Sequence, residues 1–547
     1  MAYPITGGMM EEFIFGTLAN DQLKVMNHRM TRRGLQHAHH VLPSDPEPGQ
    51  PITLSVQVGG DLKADRVACY YTFDGSQPSG ERGAAYNGQA AFFQPVEVMW
   101  DSVTWSYQTM WTVTLPPVQE QALLRYQIGA WSDDTQEVFA DWPHIKHAAE
   151  IAATAFFRGE ALPNHIQAGD PYRPHTFVLS IDELKPPQWA RDAVIYHVFV
   201  DRFFPGQGRN WSQTDDLNGF CGGTLWGVAE KLDYIEELGV NCIWLSPVFC
   251  SPTHHGYDVV DYSNVEPRLG GDDALHFLVE AAHARGIRVV LDIALNHLSH
   301  LHPYFQDAVN NPNSLYRDWF TFDDSEVGYR SFFGVESMPQ VNVGNPSARN
   351  WLINVARYWL NQFDVDGFRL DVADGPGPDF WTYFWLACKT EKPDCFCFGE
   401  VVDAPDVQRQ YVGRLDGLLD FHLCDAMRRT FAQKRWSEMD FERFRSRHEQ
   451  YFPPDFLMLS FVDNHDMDRF LFMAEGEKES LYRAAAIQMS LPNIPVIYYG
   501  TEVGITQAVS SRAGYGLHVN RVPMLWGDEQ DGMILQLYKD LIAQRRR

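Results

Sequence analysis

The sequence predicts an α/β protein built as a (β/α)8 TIM barrel with a short insertion after strand 3, preceded by an N-terminal β-sandwich domain. Two observations predict this fold. From residue 50 to residue 141, short alternating segments are separated by turn residues, and from residue 193 onward apolar runs alternate with amphipathic helices. Eight such apolar runs, with helical segments between most of them, favour one closed barrel over an open doubly wound sheet.

Length and charge restrict the class of protein. A chain of 547 residues predicts about two to four domains of roughly 100–200 residues each. Lys and Arg number 44 against 71 Asp and Glu, so the formal net charge is −27. This charge repels phosphate backbones and anionic lipids, and we expect neither nucleic acid nor a membrane as a partner. The aromatic fraction of 14% is a first indication of a carbohydrate partner, because flat amphipathic rings bind sugar faces.

The start of the chain and the cysteines favour a cytoplasmic protein. Glu11 and Glu12 stand where a signal peptide would carry basic residues and an apolar run. The eight cysteines form no CxxC pair, and several lie in apolar runs, where reduced thiols pack as small hydrophobic groups. Two clusters of potential ligands lack structural-zinc spacing: His37, His39 and His40, and Cys395, Cys397, His422 and Cys424.

The N-terminal third of the chain predicts one small β-domain between two irregular segments. Residues 1–49 predict an arm, residues 50–142 a β-sandwich, and residues 143–190 a connector with a helical stretch near Ile145 to Phe157. The predicted strands of the sandwich are 53–58, 66–73, 111–115 and 124–130.

Residues 191–547 predict the barrel, with the insertion at residues 298–345. The first long helix ends at Gly239 and the next runs from Asp272 to Gly286, as helix start and stop signals predict. The eight predicted barrel strands are 195–200, 240–245, 289–294, 367–372, 396–402, 418–422, 457–462 and 495–500. A glycine-rich phosphate loop follows none of them, which argues against nucleotide binding.

Polar clusters follow four of the predicted strands. Strand three ends in DIALNH (292–297), strand four in DGFRLDVAD (366–374), strand five in FGEVVD (398–403) and strand seven in FVDNHD (461–466). A charge embedded in an apolar strand costs free energy unless function retains it. Since barrel enzymes carry their reactive groups at the C-terminal ends of the strands, we expect an active site there.

These segments, in this order, resemble the α-amylase family of glycoside hydrolases. HVFVDRFFPG at 197–206, SPVFCSPTHHGYDVVDY at 246–262, MPQVN at 338–342 and PVIYYGTEVG at 495–504 extend the resemblance over residues 190–547. Within the family, the chain looks most like the cyclomaltodextrinases, neopullulanases and maltogenic amylases. That group shares an N-terminal β-sandwich, an insertion after strand three and an MPKLN-like element.

Two carboxyl residues fit the chemistry of a retaining glycosidase, which needs a nucleophile and an acid about 5–5.5 Å apart. Asp371 fits the nucleophile, because Arg369, two residues earlier on the same strand, faces the same side and can keep it ionised. Glu400 fits the general acid and then base, since apolar surroundings and a neighbouring carboxylate raise its pKa. The resemblance implies the same two roles.

The resemblance also implies substrate-binding residues. Asp466 matches the third family carboxylate, which holds the hydroxyl groups of the distorted sugar. His297 and His465 match histidines that hydrogen-bond the sugar in subsite −1, and Tyr257 matches the aromatic residue on which that ring stacks. The structural alternative, ion pairs and strand-end caps, fits single residues of this set but not the whole set at one rim.

Asn296 has two interpretations, and three departures from the group leave the linkage preference open. Asn296 matches a Ca²⁺ ligand of many α-amylases, or it serves only as a hydrogen-bonding side chain; the reaction itself requires no cofactor. Asp374 to Pro378 replace the usual Asn-Glu after the nucleophile motif, Val402 replaces a tryptophan, and Gln340 replaces the lysine of MPKLN.

The sequence therefore predicts a cytoplasmic retaining glycosidase that cleaves α-1,4-glucosidic bonds of malto-oligosaccharides, cyclodextrins or pullulan. The second hypothesis is an α-1,6-active or transglycosylating member of the family, and the third is a non-catalytic glycan-binding protein, against which the intact carboxylates argue. The resemblance implies a homodimer as a further hypothesis. Relatives continue into a C-terminal β-domain of about 80–100 residues, which we expect to be missing from this chain.

Overall fold

The computed structural model describes residues 21–141, 151–152, 155, 159–161, 170–212, 216, 218–513 and 516–547. Within these residues, paired antiparallel sheets precede a closed eight-stranded barrel, so the predicted fold class is confirmed. The first 20 residues of the predicted arm, and most of the helical stretch predicted near Ile145 to Phe157, lie outside the described residues.

Two five-stranded antiparallel sheets form the sandwich. The first sheet has the order Leu35–Gln36, Ile52–Val58, Ser106–Leu115 and Gln94–Asp101, with Val41–Leu42 also paired to Ile52–Val58. The second has the order Val138–Phe139, Ala122–Trp131, Arg66–Thr72 and Gln89–Phe92, with Phe177–Ile181 also paired to Ala122–Trp131. Ser79–Glu81 and Ala84–Asn87 form a small separate hairpin. Leu54 and Val56 of the first sheet pack in one core with Tyr126 and Ile128 of the second.

Three of these strands lie where the sequence pattern indicates irregular chain. Leu35–Gln36 and Val41–Leu42 belong to the predicted arm, and Phe177–Ile181 belongs to the predicted connector. All five residues of Phe177–Ile181 are buried, so this strand lacks the alternation of apolar and polar residues that marks a half-exposed strand. Phe177–Ile181 therefore adds a last strand to the sandwich before the first barrel strand.

Eight parallel strands close the barrel, and each overlaps one of the predicted strands. In barrel order they are Ile195–Val198, Cys242–Leu245, Arg288–Ala294, Gly367–Asp371, Phe396–Gly399, Gly417–Leu419, Leu457–Ser460 and Ile494–Tyr498. The eighth strand pairs with the first, with Val496 opposite Ile195. The strands are apolar on both faces because one face fills the barrel interior and the other packs under the helices.

Helices cover the outside of the barrel, and one further helix, Asp21–Met30, precedes the sandwich strands. In chain order the described α-helices are Asp21–Met30, Gln188–Arg191, Val200–Phe203, Leu225–Glu230, Leu232–Leu238, Gly271–His283, Pro303–Asn310, Pro346–Phe363, Pro378–Glu391, Pro405–Gln408, Phe421–Met427, Glu438–Tyr451, Phe470–Met473, Lys478–Ser490 and Gly532–Arg545. The Thr224 side chain accepts the Gly227 N–H at the start of one helix, and Gly239, with φ 94°, ends another. Among the described residues, none of the helices has the length and apolar character needed to cross a bilayer.

The sandwich contacts the barrel at Asp379, in the first turn of helix Pro378–Glu391. Its carboxylate accepts the Val178 N–H (2.7 Å) and lies 3.1 Å from the His39 Nε2 and 2.9 Å from the His175 Nε2. Burial alone would raise the pKa of Asp379, but the two histidines bring it far below its usual range. The N-terminal domain is therefore anchored to the helix that follows the fourth barrel strand.

Candidate active site

The predicted catalytic residues come from adjacent strands whose register brings them together. Asp292 on the third strand lies opposite Arg369 on the fourth, and Asp371 follows two residues later on the same face. Glu400 directly follows the fifth strand, where its N–H donates to the Leu370 carbonyl (2.9 Å). The polar side chains of three strands therefore meet at the C-terminal end of the barrel.

One guanidinium group, that of Arg369, contacts three carboxylates. Its Nη1 donates to Asp371 Oδ1 (2.8 Å) and to both oxygens of Asp292 (2.8 and 3.1 Å), and its Nη2 lies 2.6 Å from Glu400 Oε2. Arg369 is fully buried, whereas Asp371 and Glu400 are 6% and 9% exposed. The two carboxylates therefore reach solvent, while their shared counter-charge lies beneath them.

The environment of Asp371 and Glu400 favours one proton shared by the pair. Burial raises the pKa of both groups, and the positive charge of Arg369 opposes this rise. Two neighbouring carboxyl groups with raised pKa values hold one proton more readily than they carry two negative charges. One ionised and one protonated carboxyl is the combination that a nucleophile and its acid partner require.

Asp292 belongs to this cluster, although sequence reasoning did not single it out. Its Oδ2 accepts hydrogen bonds from Trp244 Nε1 (3.1 Å) and the Tyr257 hydroxyl (3.0 Å), in addition to the contact with Arg369. Its one sequence signal is a charge inside an apolar strand, which structural ion pairs share. Asp292, which is fully buried, therefore positions the side chains of Arg369 and Tyr257 through hydrogen bonds.

Tyr257, His465 and Asp466 form the second part of the site. The Tyr257 hydroxyl lies 2.6 Å from His465 Nε2, and the two rings stack with centroids 5.6 Å apart. The same nitrogen lies 3.0 Å from Asp466 Oδ2. Burial alone would raise the pKa of Asp466, but His465 and Arg521 bring it far below its usual value. Asp466 is therefore ionised at neutral pH, and its side chain is 28% exposed.

Arg521 is a second residue of the site that sequence reasoning missed. Its Nη2 donates to Asp466 Oδ1 (2.8 Å) and its Nε donates to the His465 carbonyl (2.8 Å). It lies in a segment after the eighth strand, 55 residues from Asp466, and no motif surrounds it. Its contacts place it as the residue that positions and neutralises Asp466.

Replacing Arg521 with methionine is expected to lower kcat/KM for maltotriose on the order of 100-fold, because Asp466 loses its nearest guanidinium and shifts. Initial rates of the purified variant, with thermal unfolding as a check of folding, measure this effect. Arg285→Met is the matched control, because Arg285 pairs with the exposed Asp233 on the surface. A kcat/KM for the Arg521 variant within twofold of the control would contradict this role.

His297 lies at the same rim, where the insertion covers it. Its ring stacks on Phe332 at 4.9 Å, and a β-bridge joins it to Gln340. Burial lowers the pKa of His297 to about 4, so the ring is neutral near pH 7 and can both donate and accept hydrogen bonds. The His297 ring therefore contacts Phe332, and its Nδ1 lies 3.2 Å from Asn296 Nδ2.

The side chain of Asn296 lies between His297 and Gly375. Its Nδ2 lies 3.2 Å from His297 Nδ1, and its side-chain oxygen approaches Gly375 so closely that an added Cβ would be 2.1 Å away. The role of Asn296, as a calcium ligand or as a hydrogen-bonding residue, stays a prediction.

Comparisons with known proteins place the barrel among characterised relatives. The model of the alpha-amylase catalytic domain matches residues 197–533. The chain is 32% identical to alpha-amylase 2 of Dictyoglomus thermophilum over 547 residues, which cover 98% of this chain and 86% of that protein. It is also 32% identical to the intracellular maltogenic amylase of Bacillus subtilis over 385 residues, and the match spans 68% of this chain and 64% of that enzyme.

Two solved structures are similar to this structure. The cyclic alpha-maltosyl-(1→6)-maltose hydrolase from Arthrobacter globiformis has a TM-score of 0.61 and 30% identity, covering 65% of this chain and 83% of that one. A cyclomaltodextrinase covers 94% of this chain and 84% of its own, with a TM-score of 0.62 and 23% identity, which shows a common fold. Because the family model spans more than half of the chain and includes every carboxylate described above, the chain belongs to the alpha-amylase catalytic-domain family.

Proposed function

We propose that the protein is a retaining glycoside hydrolase that cleaves α-1,4-glucosidic bonds of malto-oligosaccharides, cyclodextrins or pullulan. The observation that carries this proposal is the contact of one buried guanidinium, that of Arg369, with both Asp371 and Glu400. A shared cation holds two carboxyl groups near each other, as a retaining mechanism requires. Relatives named intracellular maltogenic amylase, cyclomaltodextrinase and neopullulanase 2, at 32–33% identity, support the substrate class.

The mechanism assigns one step to each carboxyl group. Asp371 attacks the anomeric carbon while Glu400 donates its proton to the leaving oxygen, which gives a covalent glycosyl-enzyme. Glu400 then takes a proton from water, and the resulting attack on the anomeric carbon releases Asp371. Asp466, which is ionised, hydrogen-bonds the sugar and stabilises the positive charge that develops on its ring. Tyr257 supplies an aromatic surface at the same site.

The stereochemistry and linkage of the products test this proposal. Purified protein is incubated with maltotriose, a cyclodextrin, pullulan and soluble starch, and the products are separated by chromatography while proton NMR follows the first anomer released. We expect α-anomeric maltose or glucose from α-1,4 bonds. A β-anomer would show inversion, and binding without cleavage would show a glycan-binding protein; either result would refute the proposal.

An α-1,6-active or transglycosylating enzyme is the second candidate. It is favoured by the likeness to a hydrolase of cyclic alpha-maltosyl-(1→6)-maltose. The segment Asp374 to Pro378, which links the nucleophile strand to the next helix, also differs from the Asn-Glu that usually follows the nucleophile in the group. Cleavage of panose at its α-1,6 bond, or products longer than maltotriose from maltotriose, would identify this activity.

We further propose that hydrolysis needs no metal ion, with Asn296 acting as a hydrogen-bonding residue. Dialysis against EDTA is then expected to leave kcat/KM and the thermal unfolding midpoint unchanged, because the positive charges beside the catalytic carboxylates come from arginine side chains. If EDTA removes activity, Ca²⁺ restores it in the wild type, and Ca²⁺ does not restore it in Asn296→Ala, Asn296 would instead be a calcium ligand.

A cytoplasmic location is also proposed. All eight cysteines are free, and the sulfur atoms of Cys395 and Cys397 lie 3.6 Å apart without a bond. Proteins of oxidising compartments usually form disulfides, and one relative is named an intracellular enzyme. Activity recovered in the periplasmic or culture fraction of intact cells would contradict this location.

The homodimer stays a prediction, and one surface of the sandwich supports it. Trp100, Trp105 and Tyr107 are 48%, 76% and 66% exposed, and their rings pack edge to face with centroids 5.0 to 5.3 Å apart. Exposed aromatic residues are enriched at protein interfaces. Light scattering of the full chain at micromolar concentration should show twice the monomer mass, and Trp105→Ser should reduce it; a monomer at that concentration would contradict the prediction.

A further inference from the structure

Three cysteines gather in the layer between the barrel and its helices, away from the active site. Cys388 lies on helix Pro378–Glu391, Cys395 directly precedes the fifth barrel strand, and Cys397 is the second residue of that strand. Because residues two apart on a strand share a face, both strand cysteines join Cys388 in the outer core, and the phenylalanines between and after them join the core of the barrel interior. All three sulfur atoms lie within 4.8 Å of one another.

The spacing of the sulfur atoms fits one metal ion. Metal–sulfur bonds of about 2.3 Å in a trigonal plane place the sulfur atoms about 4.0 Å apart. The closest pair, Cys395 and Cys397, is separated by 3.6 Å and no pair exceeds 4.8 Å. A disulfide needs sulfur atoms about 2.05 Å apart, so the observed group is open for a metal rather than closed by a bond.

A buried cation lies beside the sulfur atoms. Lys389, which is 2% exposed, donates to the Cys395 carbonyl (2.6 Å) and pairs with Asp416 (2.9 Å). Lys389 therefore places a positive charge at the backbone of one of the three cysteines.

The nearby carboxylate of Asp416 makes its contacts with groups other than the three sulfur atoms. Asp416 accepts hydrogen bonds from Trp385 Nε1 (3.1 Å) and the Cys397 N–H (2.7 Å), besides its pair with Lys389. Within the described part of the chain, the metal-ligating group therefore consists of three sulfur atoms. Thiolates select Cu(I) and Zn(II), and because structural zinc almost always takes four ligands, three sulfur atoms favour Cu(I).

We propose that Cys388, Cys395 and Cys397 bind one Cu(I) ion through their three sulfur atoms. Thiol protons that the ion displaces leave to solvent, and Lys389 keeps its pair with Asp416. The ion ties helix Pro378–Glu391 to the fifth barrel strand, which Glu400 directly follows, three residues after Cys397. This site is independent of the hydrolytic reaction, so its failure would leave the proposed activity untouched.

Copper binding during folding tests the site, because all three sulfur atoms are buried. The full chain is unfolded in guanidinium with a reductant, refolded without oxygen in the presence of one equivalent of Cu(I), desalted and analysed for copper. We expect one copper per chain in the wild type and in Cys424→Ser, which removes a buried thiol outside the group. Cys395→Ser should bind at least about tenfold more weakly, and X-ray absorption of the wild type should show three sulfur neighbours.

Folding of each variant is checked by thermal unfolding and by maltotriose hydrolysis. If Cys395→Ser does not refold, Cys388→Ser, on the helix, is used instead. The X-ray absorption measurement, which counts the sulfur neighbours of copper in the wild type, needs no variant. The proposal is overturned if refolded wild type retains no copper, or if the cysteine variants retain as much as the wild type. A parallel refolding with Zn²⁺ that yields a tighter, four-coordinate site would also overturn the assignment to Cu(I).

Discussion

Replacing Asp371 with asparagine is expected to lower kcat for maltotriose at least about 10⁴-fold, because an amide cannot form the covalent bond to the anomeric carbon. KM should change much less, since the contacts that hold the sugar come from other side chains. The variant should remain folded, because Arg369 keeps its contacts with Asp292 and Glu400. Initial rates at several substrate concentrations, together with thermal unfolding, measure these effects.

The matched control for this variant is Asp394→Asn, which changes an aspartate whose side chain is 52% exposed, just before the fifth strand. It should retain wild-type kcat. If the Asp371 variant hydrolysed maltotriose within tenfold of this control, Asp371 would not be the nucleophile and the proposed mechanism would fail.

Replacing Glu400 with glutamine is expected to lower kcat/KM for maltotriose by about 10²- to 10⁴-fold, the usual contribution of general acid catalysis. The loss should be much smaller for formation of the glycosyl-enzyme from an aryl maltoside, whose leaving group needs little protonation. The raised pKa of Glu400 also sets the pH dependence. Because only the protonated carboxyl donates, wild-type kcat/KM should fall as pH rises through that pKa.

The pH profile separates this role from a structural one. In Glu400→Gln the alkaline fall should disappear, because the amide does not titrate in this range, whereas Glu391→Gln, at the end of a helix, should keep the wild-type profile. An unchanged alkaline fall in the Glu400 variant would assign the titration to another group and would remove Glu400 from the role of acid.

Local signals in the sequence predict the barrel and the position of its reactive rim. Each barrel strand is a short apolar run, and Asp371, Glu400 and Asp466 stand out because each is a charge inside such a run or within four residues of its end. The strand register then brings Asp371 and Glu400 to one guanidinium. For these three residues, the signal that predicts their position at the rim is contained in a few consecutive residues.

Residues that act through distant contacts have no such signal. Arg521 meets Asp466 only after the eighth strand has closed the barrel, and Asp292 looks like any charge in a buried strand until its three partners are seen. The strand Phe177–Ile181 pairs with a strand about 50 residues earlier, and no local sequence pattern indicates this pairing. Cys388 precedes Cys395 by a helix end and a turn, a spacing that matches no metal motif.

Because Arg369 contacts three carboxylates, the pKa of Glu400 depends on whether Asp371 is charged. When Asp371 becomes an ester of the sugar, it loses its negative charge, and the same guanidinium then serves only Asp292 and Glu400. Its attraction for Glu400 is no longer divided, and the repulsion from Asp371 has gone, so the pKa of Glu400 falls just after Glu400 has given up its proton. Glu400 is thus kept ready to accept a proton from water, and the release of Asp371 restores its affinity for that proton.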